Sequence, residues 1–271
     1  MSIKSDFHLH TSFSSDSETP MQEMIEQGIS SGLSYMCFTE HMDRDFPKDA
    51  VQNMDFEVNT TGYFQKYQEL RDLYKDKITL LFGIELGLQP HVADFYREYT
   101  SSYRFDFIIA SSHICHRKDP FLPSFYEGRS EDAAYLEYFE SILENMQLFD
   151  GYQVYGHLDY AVRYGPNKNK FYSYQKYADI IDCILKRLIA SGKGIEVNTG
   201  GYKYGLGHPN PCEDIIRHYR ELGGEIITVG SDAHVPAYIA YEFDKVSSIL
   251  KNCGFEYYTI FKNRKAEFVK L

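Results

Sequence analysis

The sequence predicts an α/β fold: a TIM-like barrel of seven parallel β/α units, one fewer than usual, with its site at the C-terminal ends of the strands. Three observations predict it. Seven apolar, β-prone runs alternate with helical or loop segments. The runs are too continuously apolar for a sheet with one solvated face, so they read as parallel strands covered by helices. In every run the ionisable residues gather at the C-terminal end, where parallel barrels converge side chains on one axis. An open doubly wound sheet shares the alternation but would spread its strand ends along a line.

The first run, "SDFHLH" (5–10), ends in His8 and His10. In an extended strand residues i and i+2 share a face, so two imidazoles meet one point while Leu9 faces away. That is how a strand offers a pair of metal ligands, and it is also how a half-buried strand shows a polar face. "TPMQEMIEQGISSGL" then reads as a helix over 20–32: Thr19 as N-cap, Pro20 in the first turn, Glu23 near the cap, and Met21, Met24, Ile25, Gly28 and Ile29 at helical spacing, with exit through Gly32.

The second run (34–41) ends in Glu40 and His41 and precedes a helix at 60–75. The third (78–86) carries Glu85, and the fourth (105–113) closes on His113 before a helix at 131–148. The fifth (152–159) ends in His157 and Asp159, with a helix at 172–191. The sixth (194–199) sets Glu196 and Asn198 two apart, with a helix at 211–223. The seventh (225–234) ends in Asp232 and His234, repeating the i, i+2 geometry of the opening pair, and a helix follows at 238–251.

Plainer readings exist at single positions. His41 can bridge two loops, and Glu85 can be a loop carboxylate paired with a lysine. His113 and His157 close apolar strands and must be satisfied near the barrel mouth. Six strands ending in metal-capable side chains is not how core histidines are distributed. His91, after Pro90 at the start of a helix-like segment, and His218, in a charged helix, read as surface or capping residues. His116 and His208 stay undecided.

Composition sets outer bounds. A chain of 271 residues with 43% hydrophobic and 25% charged residues is an ordinary folded, enzyme-sized unit, expected as one domain over 1–271. The opening "MSIKSDFHLH" lacks a cleavable apolar leader and no segment has the length of a membrane span, so a soluble, cytoplasmic protein is expected. Five scattered cysteines without a C-x-x-C pair fit a reducing compartment and leave any metal to histidine and carboxylate. A net charge of −11 disfavours nucleic acid and anionic membrane as partners. A small anionic substrate is compatible with it if bound metals supply positive charge locally.

"HLHTSFSSD", "TEH", "GIEL", "SSH", "GHLD" and "GSDAH", in this order, resemble the successive motifs of the PHP (polymerase and histidinol phosphatase) superfamily over nearly the whole chain. "GHLDYAVRYG" and "EVNTGGYKYGLGHPNP" most resemble its monofunctional histidinol-phosphate phosphatases. The resemblance implies a distorted (β/α)7 barrel holding three divalent metal ions, zinc, manganese or iron. His8, His10 and Asp232 would take one ion, and Glu85 would bridge it to a second held by His113 and His157. Asp16, His41 and His234 would take the third. The family often has histidine where this chain has Asp16, which still leaves a ligand in place.

The implied activity is hydrolysis of L-histidinol phosphate to L-histidinol and phosphate in histidine biosynthesis, by in-line attack of a metal-activated hydroxide. Glu85 would act between two ions, and Asp16 or His234 would deliver a proton through water to the leaving alkoxide. Another small phosphomonoester or a nucleotide is the alternative substrate, and a vestigial, metal-free module the alternative class. Arg163 could clamp phosphate with its planar fork of donors or form a surface ion pair. Lys203 stands where the family has an arginine facing phosphate, and His208 would complete that loop's contact with substrate. Glu196 and Asn198 could orient ligands, recognise an amine, or form an interior polar network. Oligomeric state is not legible in the sequence.

Overall fold

The computed structural model describes residues 3–47 and 54–271. Eight strands form one parallel sheet: β1 (Ser5–Asp6), β2 (Tyr35–Phe38), β3 (His41–Met42), β4 (Thr79–Gly87), β5 (Phe107–Ser111), β6 (Val154–Tyr155), β7 (Gly194–Asn198) and β8 (Ile227–Gly230). Their order is β1-β2-β4-β5-β6-β7-β8, and β3 pairs with β4 just beyond β2. Tyr35 to Phe38 face Thr79 to Phe82, and His41 and Met42 face Glu85 and Leu86, so β2 and β3 are one interrupted stave. The staves therefore number seven, as the sequence predicts.

The sheet closes between its ends. Phe7 N donates to Val229 O at 2.9 Å, Asp232 N to His8 O at 2.8 Å, and His10 N to Ala233 O at 2.8 Å. The closure is thin, and that is the distortion: β1 and β6 keep only two ladder residues each. Where the sequence suggests strand through His10 and Asp159, the chain leaves the ladder early, and the candidate ligands stand on loops.

The helices are α1 (Met21–Ser30), α2 (Thr60–Tyr74), α3 (Ala93–Ser102), α4 (Glu131–Leu148), α5 (Ala178–Ala190), α6 (Gly200–Lys203), α7 (Glu213–Glu221) and α8 (Phe243–Asn252). Local chemistry explains their starts. Asn59 Oδ1 accepts from Gly62 N at 3.2 Å, and Ser130 Oγ accepts from Ala133 N at 3.2 Å with Glu131 and Asp132 in the first turn. Thr19 corrects the sequence reading: it is not the N-cap of α1, which is Pro20 without a side-chain cap. Its hydroxyl instead donates to His234 O at 3.3 Å and helps hold the last ligand-bearing loop. The expected helix at 172–191 begins as a 3-10 turn at Tyr174–Tyr177 before α5.

A C-terminal antiparallel hairpin, β9 (Tyr257–Lys262) and β10 (Lys265–Lys270), is an addition to the expected elements. Phe261 stacks on Phe107 at 5.2 Å, and Phe107 meets Phe7 edge-on at 5.3 Å. Asn263 N donates to Asp106 Oδ1 at 2.9 Å, just before β5 begins. The hairpin thus plugs the N-terminal end of the barrel.

The staves are buried on both faces, β4 over eight of its nine residues, as parallel strands under helices must be. Much of the packing is tyrosine, whose ring fills the core and whose hydroxyl needs a partner. Tyr63 donates to Phe38 O at 2.9 Å and Tyr96 to Met42 O at 2.9 Å, so the interrupted β2–β3 stave has its carbonyls satisfied by side chains. Burying each such ring contributes roughly 1.5–3 kcal/mol. No described helix is long and apolar enough to cross a membrane.

Candidate metal centre

At the C-terminal end of the staves the sequence-distant candidate ligands meet. Glu85, wholly buried near the end of β4, divides its two oxygens. Oε2 lies 3.1 Å from His8 Nε2, 3.5 Å from His10 Nε2 and 3.1 Å from His41 Nδ1. Oε1 lies 3.2 Å from His113 Nε2 and 3.0 Å from His157 Nε2. Asp232 Oδ1 stands 3.8 Å from His8 Nε2 and 3.7 Å from His10 Nε2. Asp16 Oδ2 stands 3.1 Å from His234 Nε2 and 3.5 Å from His41 Nε2. The nine residues read from the sequence as ligands are thus gathered at one barrel mouth.

Several of these buried atoms approach one another closely yet form no hydrogen bond: His8 Nε2, His10 Nε2, His41 Nδ1, His234 Nε2 and Glu85 Oε2. Orphaned buried polar atoms are costly, and a cluster of them aimed at common points has the donor chemistry of divalent cations. His8, His10 and Asp232 offer ligand atoms within 4.8 Å of one another, as do His10, His41 and His234. So do His8, Glu85 and His157, and His41, Glu85 and His113. Mixed nitrogen and carboxylate ligation suits zinc, manganese or iron better than an all-oxygen cage for magnesium or calcium. The residues fit the cations.

The far sides of the rings are held as well. Glu196 Oε1 accepts from His8 Nδ1 at 2.7 Å, and Asp43 Oδ1 accepts from His113 Nδ1 at 2.7 Å. Ser14 donates to Glu40 Oε2 at 2.6 Å, so it must accept from His10 Nδ1 at 3.2 Å. Each contact holds a proton on the ring nitrogen facing away, so that Nε2 is the atom turned toward the centre and would offer its lone pair to a bound cation. Glu196 and Asn198 therefore belong to the orienting network: Glu196 Oε2 also accepts from His157 N at 3.0 Å and from Asn198 Nδ2 at 3.0 Å.

Burial works against charge on Glu85, but His8, His113 and His157 outweigh it and hold the carboxyl well below the usual range. Asp232 is held low in the same way, against burial, by His8 and Arg163. Burial, with His41 and His234 beside it, pushes His10 well below the ordinary imidazole value and favours its neutral, ligating form. Asp232 also has a left-handed backbone, φ 56°, which aspartate tolerates better than most residues.

Gly230, ending β8, has no room for a side chain: an added Cβ would collide with His8 Cβ and Glu196 Oε1. Gly230→Ala is expected to lower metal affinity by roughly 10- to 100-fold, the usual effect of disturbing a ligand's outer support. Titrating metal into the apo variant and the apo wild type measures it; equal affinities would show that Glu196 does not align His8.

Arg163 is not on the surface, although it lines the cavity over the candidate ligands. It is 2% exposed, with Nε donating to Asn210 Oδ1 at 2.7 Å, one terminal nitrogen to Asp232 Oδ2 at 3.0 Å and the other to Asn198 Oδ1 at 2.8 Å. The surface ion pair is thereby corrected, because the barrel interior supplies three acceptors for one fork. Lys203 and His208 do not line the cavity over the ligands. The chain turns into α6 there, leaving the Lys203 ammonium 4.8 Å from the Tyr238 ring centre and His208 Nδ1 donating to Pro209 O at 2.6 Å. Tyr204 lines the cavity instead.

Outside the site, His91 pairs with Asp45 at 2.8 Å and His218 with Asp182 at 2.9 Å, the surface roles expected of them. His116 is exposed and pairs with Glu137 and Glu144. Sequence reasoning passed over Asp43, Asp119 and the tyrosines of the mouth. Asp43 had a signal, since it follows His41 by two residues; Asp119, in a loop, had none.

The cavity over the ligands holds about 250 Å³, the scale of a small ligand. Its walls include Phe46, Phe56, Phe121, Tyr160, Tyr164 and Tyr204. A closed barrel with a buried histidine–carboxylate cluster under such a mouth defines a metal-dependent hydrolase type of site. A PHP domain match covers residues 6–200, and the chain belongs to the PHP family. It is 32% identical over 268 residues to the histidinol-phosphatase of Lactococcus lactis subsp. lactis (strain IL1403), spanning 97% of this chain and 96% of that one. The crystal structure of histidinol phosphate phosphatase from Lactococcus lactis subsp. lactis Il1403, complexed with zinc, L-histidinol and phosphate, superposes with a TM-score of 0.88 at 32% identity, covering 97% of this chain and 98% of that one. A crystal structure from Listeria monocytogenes shares the fold at 19% identity, with a TM-score of 0.78 over 89% of this chain and 99% of that one.

Proposed function

We propose that this chain hydrolyses L-histidinol phosphate to L-histidinol and inorganic phosphate, the reaction that would place it in histidine biosynthesis. The reaction class is carried by one observation: the two oxygens of Glu85 face two different histidine sets, His8 and His10 on one side, His113 and His157 on the other. The substrate is supported by the full-length relative crystallised with zinc, L-histidinol and phosphate. The whole span 1–271 acts as one domain, a reading supported by β8 and its loop, beyond the family match, closing the barrel on β1.

His8, His10 and Asp232 would hold one divalent ion, His113 and His157 a second shared through Glu85, and Asp16, His41 and His234 a third. Bound there, such ions supply the positive charge that offsets a phosphate dianion and the acidification of water that hydrolysis near neutral pH requires. The protein's own contribution is arrangement. Glu196, Asp43 and the Ser14–Glu40 relay fix the tautomers and ring planes, and Arg163 holds Asp232 by its second oxygen. The aromatic mouth limits water around the reacting phosphate. Asp16 and His234, 3.1 Å apart and the most exposed of the nine, are placed to deliver a proton through bound water to the leaving alkoxide.

The test is phosphate release from L-histidinol phosphate, with p-nitrophenyl phosphate and nucleotides as comparisons. Chelation is expected to abolish it and re-addition of zinc or manganese to restore it. Turnover that survives complete metal removal would sink the metal-dependent reading, and equal turnover of unrelated esters would sink the substrate assignment.

A further inference from the structure

We propose that Asp119 is the counter-charge for the protonated primary amine of the substrate's alcohol half, an inference that rests on the histidinol phosphate reading above. Asp119 follows β5 in a loop, is 6% exposed, and contributes to the cavity wall. Its Oδ1 accepts from Phe121 N at 2.8 Å, and its Oδ2 has no partner among the described residues. The other carboxylates of the wall are all compensated: Asp16 by His41 and His234, Asp43 by His113, Glu85 by its histidines, and Asp232 by Arg163. Asp119 forms no such ion pair among the described residues. A buried carboxylate without a counter-ion is costly, and burial pushes its carboxyl up to about 6. A bound cation would offset that cost.

The surroundings favour this ligand chemistry. Phe121 meets Tyr164 edge-on at 5.1 Å, and Tyr164 meets Tyr204 edge-on at 5.3 Å, so flat apolar surface stands beside the carboxylate. The alcohol half of histidinol phosphate carries a ring that such walls can flank and an amine that is largely cationic near neutral pH. The imidazole is largely neutral there, so the carboxylate selects the ammonium by charge and leaves the ring to the aromatic wall.

The test measures kcat and KM of wild type and Asp119→Asn on L-histidinol phosphate and on its des-amino analogue, 3-(imidazol-4-yl)propyl phosphate. Asparagine keeps an oxygen for Phe121 N and removes only the charge. The specificity ratio, kcat/KM for the amine-bearing ester over the des-amino ester, is expected to fall on the order of 10- to 100-fold in the variant, mostly through KM. An unchanged ratio overturns the inference, whether activity falls equally on both esters or on neither. Wild type supplies an arm independent of the variant's folding: it should prefer the amine-bearing ester by a similar factor, and no preference overturns the inference as well. Failure of wild type to hydrolyse L-histidinol phosphate at all would sink the substrate reading instead, a result distinguishable from either.

Discussion

Glu85→Gln is expected to reduce kcat/KM by roughly two to nearly four orders of magnitude and to lower the metal bound per chain. The side chain keeps its size but exchanges one carboxylate oxygen for an amide NH2. Because Oε1 and Oε2 face different histidine sets, the amide can turn its remaining oxygen toward only one of them. On the other side an NH2 then stands where an ion held there would need an oxygen ligand, and the shared charge is gone from a wholly buried position. Removing one partner of a buried charged set costs about 3–5 kcal/mol, and each 1.36 kcal/mol is a factor of ten in rate. Steady-state kinetics with elemental analysis after gel filtration checks it. Full metal content with undiminished turnover would dismantle the proposed bridging role.

Arg163→Met is expected to lower the melting temperature by on the order of 10 °C and to reduce kcat with less effect on KM. Methionine fills similar space but leaves the amide oxygen of Asn210 without its donor, that of Asn198 with only Gly200 N at 2.9 Å, and Asp232 Oδ2 with only the Asn198 amide at 3.3 Å. The loss of a buried pair's cation again costs about 3–5 kcal/mol, which in a domain of this size moves the midpoint by a few degrees per kcal/mol. The positioning role and the phosphate clamp separate here. A clamp would raise KM while stability stayed put; a residue holding Asp232 should lose stability and kcat together, with Arg163→Lys restoring part of both by returning the charge without the fork. A raised KM at unchanged melting temperature would favour the clamp.

The pairs at i, i+2, His8 with His10 and Asp232 with His234, were legible because an extended reading puts each on one face, although both lie in loops just beyond β1 and β8 and Asp232 has φ 56°. Histidines closing apolar runs were legible because burial forces an explanation on them. The C-terminal hairpin was not. Its turn has Asn263 and Arg264 both at positive φ, 50° and 62°, the conformation in which glycine usually occupies the second position. With arginine there, the strongest local hairpin signal is missing. The placement of Lys203 and His208 was not legible, because motif spacing along a loop does not say toward which side the chain turns; α6 brings Tyr204, not Lys203, to the cavity wall.

By itself the sequence determined the alternation of seven staves with helices and the residue types at each stave's end, since both follow from periodicities of two and 3.6 that act over a few residues. Only the tertiary structure decided which atoms meet. Glu196 reaches His8 across 188 positions, Asp43 reaches His113 across 70, and Arg163 meets Asp232 across 69. Such contacts depend on where barrel closure puts each strand end and on which buried polar atom finds no other partner, and a linear pattern carries neither.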